Sequence, residues 1–221
     1  GEIYEILSTD GDWNYISCIH DNYNGWIFDR KPDLLSDDQV NRYYNESPVF
    51  SKELIYSCKE YSLTYGSRLP DYRDGKFNLG DRILAFPGQT NNRQDTRDIL
   101  QTALDYLNAP YLWGGRSIAG IDCSGLVQVV FMVCGISVPR DAWQQAERGT
   151  PVASLDLAKA GDLAFFSENG QRITHVGILT GDGHIIHASD WVRKDIIDDN
   201  GIFLTHLEKY GSKAVIINRL F

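Results

Sequence analysis

The sequence predicts an α+β fold, on three observations. Residues 3–32 and 48–87 hold short apolar stretches punctuated by Gly, Asp and Pro, which is the texture of strands and turns. Residues 123–134 are almost continuously apolar, as a buried helix requires. Strand texture then returns in three or four pieces, so a helix precedes an antiparallel sheet. The 221 residues, 43% of them apolar, suffice to bury a core in one to three compact units.

The first stretch reads as strands at Ile3–Leu7, Trp13–Ser17 and Gly25–Phe28 around the turn Asp10-Gly11-Asp12. The run GEIYEILSTDGDWNYISC followed by GWI resembles bacterial SH3-like barrels, which implies a partial barrel over 1–32 whose first strand lies outside this chain. Residues 33–47 are polar and acid-rich, with Ser36 and Gln39 at capping-box spacing, and are expected to be a linker with one short helix. Residues 48–89 are expected to form a second SH3-like β domain, with strands at Leu54–Cys58, Leu63–Tyr65 and Arg82–Phe86. A different domain is expected over 90–221. It opens with a helix through Asp98–Leu107, continues to a central helix from Cys123 that closes at Gly135, and then runs through strands at Leu163–Phe166, Ile173–Thr180, His184–Ser189 and Val215–Asn218.

Thirty acidic residues against twenty-one basic give a net charge of −9, which repels phosphate backbones and anionic membranes unless basic residues cluster, and none do. The expected partners therefore exclude nucleic acid. No apolar run is long enough to cross a membrane, and residues 1–20 lack the charged start and apolar block of a signal peptide, so an export signal is expected outside this chain. Cys18, Cys58, Cys123 and Cys134 are too few and too scattered for a disulfide framework or a zinc ribbon.

Cys123 stands apart because it opens a helix, where free backbone N–H groups and the helix dipole favour a thiolate. Cys134, about 16 Å further along the same helix, is expected to be core. A nucleophilic thiol needs a base and a group that orients the base. His175 and His187 flank the turn Gly181-Asp182-Gly183, and its length decides whether they meet. A two-residue loop pairs 176 with 187 and sends the imidazoles to opposite faces. A three-residue loop with a left-handed Gly183 pairs 177 with 187 and puts both on one face, with Gly177 leaving room beside the ring. His184 and His187 fall on opposite faces of a strand, so no metal site is expected there, the thiol chemistry itself calls for no cofactor, and His20 and His206 have no nameable partner. Tyr111 and Trp113 lie in a Gly-rich approach to Cys123.

The segment APYLWGGRSIAGIDCSGLVQVVFMVCGISVPRDAWQQAERG, followed by GDLAFF and THVGILTGDGHIIHAS, resembles the NlpC-type cell-wall cysteine peptidases, which are papain-like in core layout. This resemblance implies that Cys123 is the nucleophile, His175 the base and His187 its orienter, with Tyr111 and the Cys123 N–H at the oxyanion. It also implies substrate contacts from Asp122, Ser124, Trp113 and Asp141, with Tyr23 or Trp26 contributed by the first barrel. Barrels ahead of such a domain are similar to the γ-D-glutamyl-L-diamino-acid endopeptidases. That similarity implies an enzyme cutting murein fragments, L-Ala-γ-D-Glu-diamino acid, in the cell envelope or periplasm, or in the cytoplasm in a recycling role; a monomer is expected. An N-acetylmuramoyl-L-alanine amidase, an acyltransferase using the same thiol, and a non-catalytic wall-binding module are the competing readings.

Overall fold

The computed structural model describes residues 1–29, 31–91, 95–167, 170 and 172–221, with only the backbone of Val215. The chain divides into two compact units, residues 1–93 and 94–221.

In the first unit, β1 (Tyr4–Asp10), β2 (Trp13–Cys18) and β3 (Asn24–Phe28) form an antiparallel sheet in the order β1-β2-β3. Alternation along β2 buries Asn14 and Ile16 and leaves Trp13 half exposed, edge-on to Phe28 across the β2–β3 pair. Helix α1 (Asp37–Asn45) starts with the expected capping box: Ser36 N–H donates to Gln39 Oε1 (2.8 Å), and Gln39 N–H donates to Ser36 Oγ (3.4 Å). Short pairs follow. β4 (Phe50–Ser51) pairs with β9 (Thr90–Asn91), β5 (Ile55–Ser57) with β6 (Ser62–Thr64), and β7 (Lys76–Leu79) with β8 (Arg82–Ala85). They enclose a core of Leu69, Phe77, Leu84 and Phe86. Strand β7 has no counterpart in the sequence reading, because Lys76-Phe77-Asn78-Leu79 offers only two apolar residues, Phe77 and Leu79, in four positions between two turns.

The second unit begins with a 3₁₀ turn (Thr96–Asp98) and α2 (Ile99–Leu104), shorter than expected. The hairpin β10 (Arg116–Ser117) and β11 (Gly120–Ile121) leads into α3 (Cys123–Val133), and α4 (Ala142–Gln145) follows. Helix α3 is buried on every side except at Met132, which explains why its sequence shows no polar stripe.

Strands β12 (Thr150–Pro151), β13 (Leu163–Phe166), β14 (His175–Leu179), β15 (His184–Ala188), β16 (Val192–Asp198), β17 (Gly201–Leu204), β18 (Lys209–Tyr210) and β19 (Ala214–Arg219) make one antiparallel sheet, ordered β12-β19-β13-β14-β15-β16-β17-β18. The expectation of three or four strands falls short by half. Strand β16 was hidden because Arg193 and Asp195 face inward among apolar neighbours, which makes Val-Arg-Lys-Asp read as a solvated loop. Strands β13 to β15 are buried on both faces. Helix α3 packs against β14 and β15, and a separate apolar cluster of Ala164, Phe166, Leu179, Ile185, Ile197, Ile202 and Ile217 fills space under the 3₁₀ turn at Leu155–Leu157.

Candidate active site

Two chain reversals build the site. The first is the β14–β15 hairpin, which pairs Ile178 with Ile186 and Leu179 with Ile185. This is the register of the three-residue loop, and Gly183 takes the left-handed conformation it requires (φ +82°). His175 and His187 therefore share a face. Their rings lie 5.1 Å apart edge to face, with His175 Nε2 2.9 Å from His187 Nδ1. Gly177 sits between the pair and Ile185. A Cβ there would lie 2.6 Å from Ile185 Cδ1 and 3.0 Å from His187 Cβ, so glycine is the residue that lets both imidazoles pack. Gly177→Ala is expected to cost about 1–3 kcal/mol of stability, the usual range for overpacking, and to lower kcat by displacing His187. Urea denaturation and steady-state kinetics on one preparation check both.

The second reversal is the β15–β16 hairpin, which sets His187 opposite Arg193 and Ile185 opposite Asp195. Asp195 thereby becomes the diagonal neighbour of His187. His187 Nε2 lies 3.1 Å from Asp195 Oδ2, and Arg193 Nε donates to the same oxygen at 2.7 Å. Arg193 also reaches Asp190 (3.2 Å) and stacks on Trp191. Sequence reasoning missed Asp195. Its one available signal was an acid and a base two apart on a strand, which share a face.

Asp195 fixes the tautomers of the whole chain. Burial would push its carboxyl up, but the hydrogen bonds from His187 and Arg193 outweigh this and hold it below the usual carboxylate range. An ionised Asp195 needs a donor, so His187 carries its proton on Nε2 and offers a lone pair at Nδ1. His175 Nε2 must then donate, which leaves His175 Nδ1 as the free acceptor. Burial, with the charges of His187 and Arg193 behind it, pushes His175 down to about 3, and burial lowers His187 against the pull of Asp195.

Cys123 is the first residue of α3 and is 7% exposed. The sequence led us to expect a thiolate, and the structure corrects that. Burial, then the neighbouring charge of Asp122, push the thiol up to about 11, and backbone groups of Val176, Ser124 and Cys123 itself only partly oppose the shift. The resting pair is a thiol and a neutral imidazole. The thiolate fraction rises with pH up to about 11, and His175 stays neutral above about 3. Alkylation of Cys123 by iodoacetamide is therefore expected to accelerate roughly tenfold per pH unit between pH 6 and 9. A rate independent of pH across that range would instead identify a preformed ion pair.

Asp122 caps α3. Its Oδ1 accepts from Gly125 N–H (2.7 Å), Ser124 Oγ–H (3.3 Å) and Arg140 Nη1 (3.0 Å), and its Oδ2 from Gly114 N–H (2.7 Å) and Arg140 Nη2 (2.6 Å). Asp122, Ser124 and Arg140 are all buried, so an incoming ammonium group has to displace one of these donors. Arg140 was not anticipated. Tyr111 is about one-third exposed, and burial followed by the charge of Cys123 raises its hydroxyl. Trp113 is 85% exposed. Asp141 precedes α4 and accepts from Trp143 Nε1 (3.2 Å). Tyr23 and Trp26 lie in the first unit, both largely exposed, with Trp26 packed on Tyr15.

A thiol at the head of a buried helix, set against a sheet that carries an ordered imidazole pair, defines a cysteine hydrolase. The chain belongs to the NlpC/P60 family, whose pattern matches residues 108–209. It is 50% identical over 212 residues to the γ-D-glutamyl-L-lysine dipeptidyl-peptidase of Bacillus subtilis, covering 85% of this chain and 70% of that protein. It is 38% identical over 225 residues to the Bacillus cereus protein of the same name, covering 85% and 65%. A crystal structure of an NlpC/P60 family protein from Bacillus cereus matches 99% of this chain and 79% of its own with a TM-score of 0.78, at 23% identity. The fold is thus the mixed α/β NlpC/P60 fold, and no helix among the described residues is long and apolar enough to cross a membrane.

Proposed function

We propose that this enzyme hydrolyses the γ-D-glutamyl bond to the diamino acid in murein peptides, with Cys123 as nucleophile and His175 as base and then acid. The observation that carries this reading is the 50% identity, over most of both chains, to a γ-D-glutamyl-L-lysine dipeptidyl-peptidase. The tautomer chain supports the assignment of roles. As Sγ attacks the γ-carbonyl carbon of D-glutamate, its proton passes to His175 Nδ1. The new imidazolium donates through Nε2 to His187, which is held by Asp195. The oxyanion is met by the Cys123 N–H and the Tyr111 hydroxyl, donors each worth a few kcal/mol, about 3–4, in comparable sites. His175 then gives its proton to the departing amine, and water, deprotonated by His175, cleaves the thioester and restores the thiol.

His187 and Asp195 are positioning residues in this scheme. Ser124, Trp113, Asp141 and the Asp122–Arg140 pair belong to the wall that meets the peptide. We further propose that the β-rich segments 1–32 and 48–89 are SH3-like and joined by the linker 33–47, that residues 90–221 are the catalytic domain, and that a monomer works in the cell envelope. The names of a γ-D-glutamyl-L-lysine dipeptidyl-peptidase and a bifunctional muramidase/DL-endopeptidase among the relatives support the envelope location.

Incubation with L-Ala-γ-D-Glu-L-Lys, with L-Ala-γ-D-Glu-diaminopimelate and with intact sacculi, followed by mass spectrometry, tests the reaction. Release of the dipeptide L-Ala-D-Glu is the expected result. Cleavage beside muramic acid would identify an amidase, transfer of the acyl group to an added amine would identify an acyltransferase, and no cleavage would leave a binding module.

A further inference from the structure

The first unit holds a cluster of chemistry that the reaction does not use. Strand β2 ends at Cys18, and the chain turns back to β3 through a tight loop: Cys18 N–H donates to Tyr23 O (2.9 Å), Asn22 N–H donates to Cys18 O (2.8 Å), and Asn22 is left-handed (φ +57°). This loop gathers Cys18, His20 and Asp21 so that one ligand atom from each lies within 4.8 Å of the others. Tyr23 N–H donates to Asp21 Oδ1 (2.9 Å), and Asp21 Oδ2 lies 3.2 Å from His20 Nε2. The Asp21 side chain is 3% exposed and that of His20 17%.

The informative residue is His20. Both ring nitrogens are shielded from solvent, and neither has a hydrogen-bond partner among the described residues, since the approach to Asp21 lacks hydrogen-bonding geometry. Buried polar atoms are ordinarily satisfied, and an orphaned imidazole between a thiol and a carboxylate is arranged as a ligand is. Glu2, whose Oε1 lies 3.9 Å from His20 Nε2, is placed for a fourth position.

We infer that Cys18, His20 and Asp21 form a site for a zinc-class divalent cation that clips the β2–β3 loop. A thiolate, an imidazole and a carboxylate are the donor types of zinc, and the three ligand atoms, all within 4.8 Å of one another, stand close enough to converge on one ion. Three ligands within four residues would bind as one element, with Glu2 or water completing the shell. Magnesium and calcium, which take oxygen donors, fit this set poorly.

The test uses the full chain carrying Cys123→Ala, so that the catalytic thiol cannot contribute, and stripped of metal by a chelator. Titration with Co²⁺ is expected to give one equivalent per chain with a near-ultraviolet thiolate-to-cobalt absorption, displaced by Zn²⁺. Cys18→Ser should abolish that band, His20→Asn should weaken binding at least about tenfold, and Cys58→Ser should change neither. Circular dichroism of each variant separates lost binding from lost folding, and should Cys18→Ser unfold, His20→Asn decides. Failure to retain Co²⁺, or binding indifferent to both substitutions, overturns the site. Cell-wall peptide cleavage is not read here, so this result stands or falls apart from the proposed reaction.

Discussion

Cys123→Ala is expected to lower hydrolysis of the murein peptide by 10⁴-fold or more, on the order of what other enzymes lose with their nucleophile, while Cys134→Ala keeps most of it. The two thiols make a matched comparison. Both are buried, and they stand at opposite ends of the same helix. Cys134 lies against Thr102, with Oγ1 and Sγ 3.8 Å apart, so its loss is a matter of packing worth about 1 kcal/mol. Cys123 lies where the helix starts and beside the Val176 backbone of β14, the strand that begins at His175. Peptide cleavage followed by mass spectrometry, with thermal unfolding of both variants, separates the two. Equal losses of activity in folded variants would remove Cys123 from its role.

Why the sequence exposed some of this site and hid the rest follows from the range of the interactions. The histidine pair was legible because its geometry is decided locally: a loop length and one left-handed glycine, Gly183, set the parity of both strands. The capping box at Ser36 and Gln39 was legible for the same reason. The partners of Asp122 and His187 were not. Arg140 lies eighteen residues past Asp122, and Asp195 reaches His187 only through a strand that its charged residues disguise. A buried charge leaves no periodic trace, since residue type says solvent while the fold says core. The state of the thiol was misjudged for a related reason. The helix start is a local feature that favours the thiolate, whereas the burial that opposes it comes from the whole unit.

Asp195→Asn carries the second large expected effect, a fall in kcat on the order of 10²–10⁴ with KM little changed, the upper figure being what an orienting carboxylate supplies in a serine-peptidase triad. The amide can donate where the carboxylate only accepts. If its NH₂ meets His187 Nε2, the proton of His187 moves to Nδ1 and faces His175 Nε2, which must then present a lone pair. His175 consequently carries its proton on Nδ1 and has no acceptor for the thiol. Arg193 keeps Asp190 at 3.2 Å and its stack on Trp191, so the fold has other holds on that guanidinium. His187→Ala cuts the same chain one link earlier, and combining it with Asp195→Asn should cost little beyond the single change, because groups that act as a unit are not additive. Kinetics across pH on the two single variants and the double variant, with unfolding midpoints alongside, check this. Losses that multiply in the double variant, or an Asp195→Asn enzyme that is folded and fully active, would show that Asp195 serves Arg193 and the Thr205 N–H and leaves the imidazoles to orient each other.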